Sequence, residues 1–199
     1  MNTRSLGRAI ASTVDRMLTA SRSAPRSHLT CLSGERLDLH NFRGRPVLVK
    51  FHRFSGCPVA RHQIDQFIAR LPELTGAGVE MIIVLHSSAD KVAPNFAERS
   101  GLHIVADRDK TLYRAWACTF DRRRLLSPAS WRATLAALRH GYLPQPTRFQ
   151  GGVVGIPADF LIDGAGLIAE AHYGRHFGDS WTVDDVLARL STGTLQRGS

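Results

Sequence analysis

The sequence predicts an α/β domain with a mixed central sheet, helices on both of its faces, and a helical extension at the N-terminus. Three observations predict it. Short apolar runs alternate with amphipathic stretches as far as residue 117. One of these runs, residues 79–85, shows no polar alternation, as expected of a strand buried on both faces. The C-terminal part carries two such runs separated by a tight turn, which is an antiparallel hairpin. Parallel crossovers followed by a hairpin make the sheet mixed.

The elements follow in order. Residues 1–27 form an extension: Ile10, Val14, Met17 and Leu18 recur at helical spacing, and Pro25 marks a linker. The same stretch is rich in Arg, Ser and Ala, so a mitochondrial transit peptide is the competing reading. A domain over residues 28–192 and a flexible tail over 193–199 complete the expected organisation. Cys31 to Leu39 reads as a hairpin around Ser33-Gly34. Residues 47–51 are a strong strand, and Pro58 opens a helix whose face is Ala60, Ile64, Phe67, Ile68 and Leu71. A strand at 79–85, a helix from Ser87 or Ser88 to Arg99, a strand at 102–106 and a short helix at 110–117 come next. Residues 128–140 predict a helix with Trp131, Leu135 and Leu138 on one face, and 141–152 a long loop. Strands at 159–162 and 167–172 flank the turn 163–166, and a last helix at 183–190 starts after Thr182 as N-cap.

Composition narrows the class. A chain of 199 residues fits one domain and can bury a core unaided, since domains run about 100–200 residues. No apolar stretch approaches the roughly 20 residues of a spanning helix. The net charge of +9 comes from arginines spread along the chain, with one tight run at 122–124. No aromatic residues interleave with them, so a base-stacking platform is not indicated. Three cysteines, Cys31, Cys57 and Cys118, form neither a disulfide framework nor a C-x-x-C zinc pair. A reducing compartment fits, and the expected location is cytoplasmic, or the mitochondrial matrix if the N-terminus is a transit peptide.

The chemistry concentrates where the first long strand meets its helix. Cys57 sits at a helix start, where free N–H groups and the helix dipole stabilise a thiolate, the nucleophilic form. His52, Arg53, Arg61 and His62 stand close in sequence, and any that faces the sulfur adds to the effect. Gly56 admits a close approach to the backbone. The bland alternative, a buried inert cysteine, fits poorly with the polar Ser55-Gly56 and the helix-opening Pro58. His172, His176 and Asp179 allow a metal reading, but a hydrogen-bonded loop is the better one.

The run from Phe51 to Pro58, the run from Gly155 to Gly164, and the segment from Ala171 to Asp179 resemble the thioredoxin-like superfamily. More closely, they resemble its peroxiredoxin-like branch, the alkyl hydroperoxide reductase/thiol-specific antioxidant proteins. The resemblance covers roughly Leu29 to Leu190. It implies a thioredoxin fold, Cys57 as the attacking cysteine, and Pro157 as a cis-proline facing it. It also implies an arginine near the sulfur, for which Arg53 and Arg148 are the candidates. Two positions depart from the pattern. Phe54 replaces the hydroxyl residue three before the cysteine, leaving Ser55 as a substitute, and Ala60 occupies the place of a second cysteine. Cys118 and Cys31 read first as core cysteines; Cys118 is the better placed to resolve an oxidised Cys57. The leading expectation is a thiol peroxidase that needs no cofactor or metal. Its partners would be a peroxide and a thiol reductant, thioredoxin or glutathione, and a homodimer is compatible. A single-thiol disulfide oxidoreductase using mixed disulfides is the first alternative. A non-catalytic redox sensor or interaction protein is the second.

Overall fold

A computed structural model describes residues 17–98, 100–118, 127–145 and 155–192. The expected helix through Ile10 and Val14, the arginine run 122–124, Arg148 and the tail 193–199 lie outside the described residues. Among the described residues no helix is long and apolar enough to cross a membrane.

A small hairpin comes first, β1 (Leu29–Thr30) against β2 (Arg36–Leu37), followed by a 3-10 turn at Leu39–Phe42. Gly34 takes φ 88° in its loop, which a residue with a Cβ rarely adopts. The main sheet has five strands: β3 (Val47–His52), β4 (Glu80–Leu85), β5 (Leu102–Ala106), β6 (Ala158–Ile162) and β7 (Ile168–Tyr173). Their order is β5-β4-β3-β6-β7. β3 runs parallel to β4 and β4 to β5, while β6 lies antiparallel to both β3 and β7. This is the expected mixed sheet, with β3 at its centre.

The helices are α1 (Pro58–Ala69), α2 (Leu71–Gly76), α3 (Ala89–Val92), α4 (Thr111–Ala115), α5 (Pro128–Arg139) and α6 (Val183–Ser191). Each sheet face has its own core. Val49, Phe51, Val84 and Phe160 pack with Tyr113 and Trp116 on one side. Leu48, Ile83 and Leu161 pack with Ile64 and Phe67 of α1 and Val186 of α6 on the other. Local chemistry sets the helix ends. The Asp107 carboxylate accepts from the N–H groups of Thr111, Leu112 and Tyr113 and so caps α4. Thr182 and Asp185 form a reciprocal capping box at α6.

Three helices differ from expectation. The one opened by Pro58 ends at Ala69, and Leu71 belongs to a separate short helix, α2. The helix expected to reach Arg99 stops at Val92, because Pro94 has no N–H to carry the ladder on. α5 lies where the sequence puts it but faces the other way. Trp131 is 64% and Leu135 48% exposed, whereas Ser130 and Ala137 are buried and Ala133 is half-buried. The small residues at positions 130, 133 and 137 share one helix face, and small side chains allow a close approach to α1.

Candidate active site

β3 ends at His52, and a tight turn through Ser55-Gly56 carries the chain to α1, with Cys57 as its N-cap. Pro58 occupies the first helical position, where its missing N–H costs no intrahelical bond. The Cys57 backbone is tied on both sides: its N–H donates to Phe54 O at 3.0 Å, and its carbonyl accepts from Arg61 N–H at 3.0 Å. The side chain is fully buried in a cluster of Phe54, Val59, Ala60, Ala137 and Phe177. α5 thus roofs the start of α1. The loop behind α5 adds to the roof: Gln145 N–H donates to Gly56 O at 3.1 Å, and the Gln145 and Asn95 amides exchange two 3.0 Å hydrogen bonds. A Cβ on Gly56 would lie 2.8 Å from Gln145 Cβ. The glycine therefore admits this loop, where substrate was expected.

One of the four neighbouring basic residues reaches the sulfur. Arg53 Nη1 donates to Cys57 Sγ at 3.1 Å, and the guanidinium lies over the rings of Phe177 (3.6 Å) and Phe54 (5.2 Å). Burial pushes the Arg53 pKa down, and the charge and hydrogen bond of Cys57 oppose that shift. Arg61 turns away to Leu143 O and the Tyr142 ring. His62 stacks on His140 of the α5 C-cap, with centroids 4.7 Å apart. His52 is fully buried, and its Nε2 has no hydrogen-bond partner among the described residues. Burial, with Lys50 adding to it, holds its pKa well below the usual histidine range.

Other expected site residues lie elsewhere or differ in form. Every described peptide bond is trans, so Pro157 is not the expected cis-proline. It leads into β6 as a trans proline, where a strand start tolerates the missing donor, and its carbonyl accepts from Gly174 N–H at 2.8 Å. The Ser55 hydroxyl donates to Lys91 O at 2.9 Å and does not replace the hydroxyl missing at Phe54. Cys118 packs against the core on the other face of the sheet and lines a small cavity with Ile156, Pro157 and Tyr173. Burial pushes its thiol well up, with Asp159 and Asp107 adding to the effect. Cys31 belongs to the same core, and burial followed by Glu98 pushes it up to about 12. All three cysteines are free. Cys31 and Cys118 pack with one core cluster and Cys57 with another. His172, Asp179 and Arg175 form a hydrogen-bonded turn, with His172 Nε2 3.0 Å from Asp179 Oδ1.

Sequence reasoning missed two features. The first is Phe177 as the platform under Arg53; an aromatic after a glycine-containing turn was the only signal. The second is the buried pair of Lys50 and Asp159, with Nζ 2.6 Å from Oδ1 and neither side chain exposed. Charged residues inside apolar strands were its signal.

Comparison with known proteins bears on this geometry. "Putative peroxiredoxin MT2597" of Mycobacterium tuberculosis (strain CDC 1551 / Oshkosh) is 29% identical over 108 residues, which is 53% of this chain and 68% of that protein. A peroxiredoxin 6 variant from Arenicola marina superposes with TM-score 0.66 at 12% identity, covering 92% of this chain and 76% of that one. Peroxiredoxin Q of Xanthomonas campestris, as a cysteine mutant, gives 0.62 at 18% identity over 88% and 99%. These two likenesses speak for the fold. The AhpC/TSA family model matches residues 20–171, from before β1 into β7. That stretch contains Arg53, Cys57 and the whole strand-to-helix junction, and the chain belongs to the AhpC/TSA family.

Proposed function

We propose that this protein reduces hydroperoxides through Cys57, with Arg53 as the cation that serves the sulfur and regeneration by an external thiol. The observation that carries the reading is the 3.1 Å hydrogen bond from Arg53 Nη1 to Cys57 Sγ at the start of α1. A helix N-terminus and a guanidinium both favour a thiolate there. The thiolate attacks the terminal oxygen of ROOH. An S–O bond forms, the O–O bond breaks, and the departing alkoxide takes a proton to leave as ROH. Cys57 becomes a sulfenic acid. Guanidinium N–H groups suit the charge that develops on the departing oxygen.

The separation of Cys57 from Cys31 and Cys118 supports an external reductant. A thiol R′SH attacks the sulfenic sulfur, water leaves, and a mixed disulfide remains. A second R′SH then releases the Cys57 thiol and R′SSR′. The net reaction is ROOH + 2 R′SH → ROH + H₂O + R′SSR′.

The test is peptide-resolved mass spectrometry after one equivalent of hydroperoxide, with added glutathione or thioredoxin in a second arm. Sulfenate on Cys57, loss of turnover in Cys57→Ser, and retained turnover in Cys31→Ser and Cys118→Ser are expected. Slow peroxide reaction with rapid mixed-disulfide exchange would replace this reading with disulfide oxidoreduction.

A further inference from the structure

Arg53 poses a physical problem that its own segment does not solve. It lies on the short connection between β3 and α1, it is only 7% exposed, and its side chain is long and flexible. A guanidinium is polar at its edge and weakly hydrated on its two faces, so a buried one needs a hydrogen-bond acceptor at the edge and an aromatic face above or below. Cys57 Sγ takes an edge N–H. The nearer aromatic face belongs to Phe177, 3.6 Å from the guanidinium carbon. Phe54 also contributes, at 5.2 Å, but it is Arg53's chain neighbour and moves with it.

Phe177 comes from the other end of the chain, on a turn that is fixed independently. Its N–H donates to the buried Ser130 Oγ of α5 at 3.3 Å. Gly178 N–H donates to His176 Nδ1 at 3.2 Å, and a Cβ at Gly178 would lie 2.8 Å from Ala133 Cβ. Two residues further on, Ser180 and Trp181 bind the buried Asp159 through a hydroxyl at 3.0 Å and an N–H at 2.8 Å. The turn is thereby pinned to α5 on one side and to the sheet on the other. Its ring is a fixed wall, against which a flexible cation is held.

We propose that Phe177 is a positioning residue for the Cys57 site: its ring face holds the Arg53 guanidinium in the orientation that donates to the sulfur. The inference rests on the reading of Cys57 as the reacting thiol. A leucine at 177 fills much of the same space but offers no negative face, so the guanidinium loses its nearer aromatic face and its aim at the sulfur weakens.

The experiment compares full-length wild type, Phe177→Leu, Phe177→Tyr and Arg53→Gln. Two quantities are read: the rate of sulfenate formation on Cys57 with a hydroperoxide, and the rate of Cys57 alkylation by iodoacetamide, with the Cys57→Ser background subtracted. Phe177→Leu is expected to slow both about tenfold, in the direction of Arg53→Gln. Phe177→Tyr keeps the ring face and is expected to restore both. Circular dichroism checks folding, and Phe177→Met replaces the leucine variant if that one does not fold. Unchanged rates without the ring would overturn the proposal, as would equal losses with leucine and tyrosine, which mark a packing role. Alkylation that depends on Phe177 together with no peroxide reaction in wild type would sink the peroxidase reading and leave the positioning role intact.

Discussion

His52 and Arg53 are consecutive and both buried, yet they meet burial in different ways. Arg53 keeps its charge against a sulfur and two aromatic rings. Burial, with the Lys50 charge adding to it, holds the His52 pKa well below the usual histidine range and its imidazole neutral. The sign of the consequence follows from linkage. The unfolded chain takes up a proton at this histidine near pH 6.5 and the folded chain does not, so stability is full above about pH 6.5 and falls as the pH drops below it. The slope from this one group approaches about 1.4 kcal/mol per pH unit. Urea unfolding between about pH 7 and pH 5 is expected to show that slope in wild type and to lose it in His52→Leu. Equal slopes in the two proteins would mean that some other group titrates. At this scale the sequence was legible where backbone and chemistry coincide. Cys57 at a helix start needed only Pro58 and the preceding strand. Arg53 was one candidate among several, because an extended stretch leaves side-chain direction undecided. Pro157 as a cis residue was drawn from resemblance, and the chain departs from it.

α5 shows what periodicity can and cannot fix in an element. Its extent follows from Pro128 at the first position and Gly141 beyond the end. Its orientation does not follow from hydrophobicity, because the face that packs on α1 consists of Ser130, Ala133 and Ala137. Close approach of two helices favours small residues there, and the larger Trp131 and Leu135 are left outside. A prediction separates the two faces. Ala137→Leu forces a larger side chain between α5 and α1 and is expected to cost about 1–3 kcal/mol. Trp131→Ser on the open face is expected to change stability by no more than about 0.5 kcal/mol. Thermal unfolding measures both. The reverse order would restore the face that hydropathy suggested. Ala137→Leu also presses on the cluster around Cys57, so faster labelling of Cys57 by iodoacetamide is expected to accompany the loss.

Across the whole molecule, the corner that holds Cys57 is tied to a charge pair at the centre of the sheet. Lys50 of β3 stands opposite Asp159 of β6 in register, and their side chains meet on the α1 face with no exposure. Lys50 Nζ also donates to Ser180 Oγ and Trp181 O and lies 4.3 Å from the Phe67 ring centroid. Burial pulls the Lys50 pKa down, and Asp159 opposes that shift. The pair thus ties the central strand, its antiparallel neighbour and the turn bearing Phe177 into one unit. Removing one partner strands the other: Lys50→Met leaves a buried carboxylate without its cation and is expected to cost about 3–5 kcal/mol. Lys50→Met with Asp159→Leu replaces both charges by apolar groups, a change that is often neutral or stabilising in a packed interior. Here recovery is expected to be incomplete, because Trp181 N–H loses its acceptor, at about 1–3 kcal/mol. That residue of loss falls on the turn, so the double variant is expected to keep the fold while Cys57 reacts more slowly. Urea unfolding of the two single variants and the double variant gives the coupling. Additive costs would mean that the two charges act independently, and an unchanged Cys57 rate in the double variant would separate the sheet's charge pair from the chemistry at the end of β3.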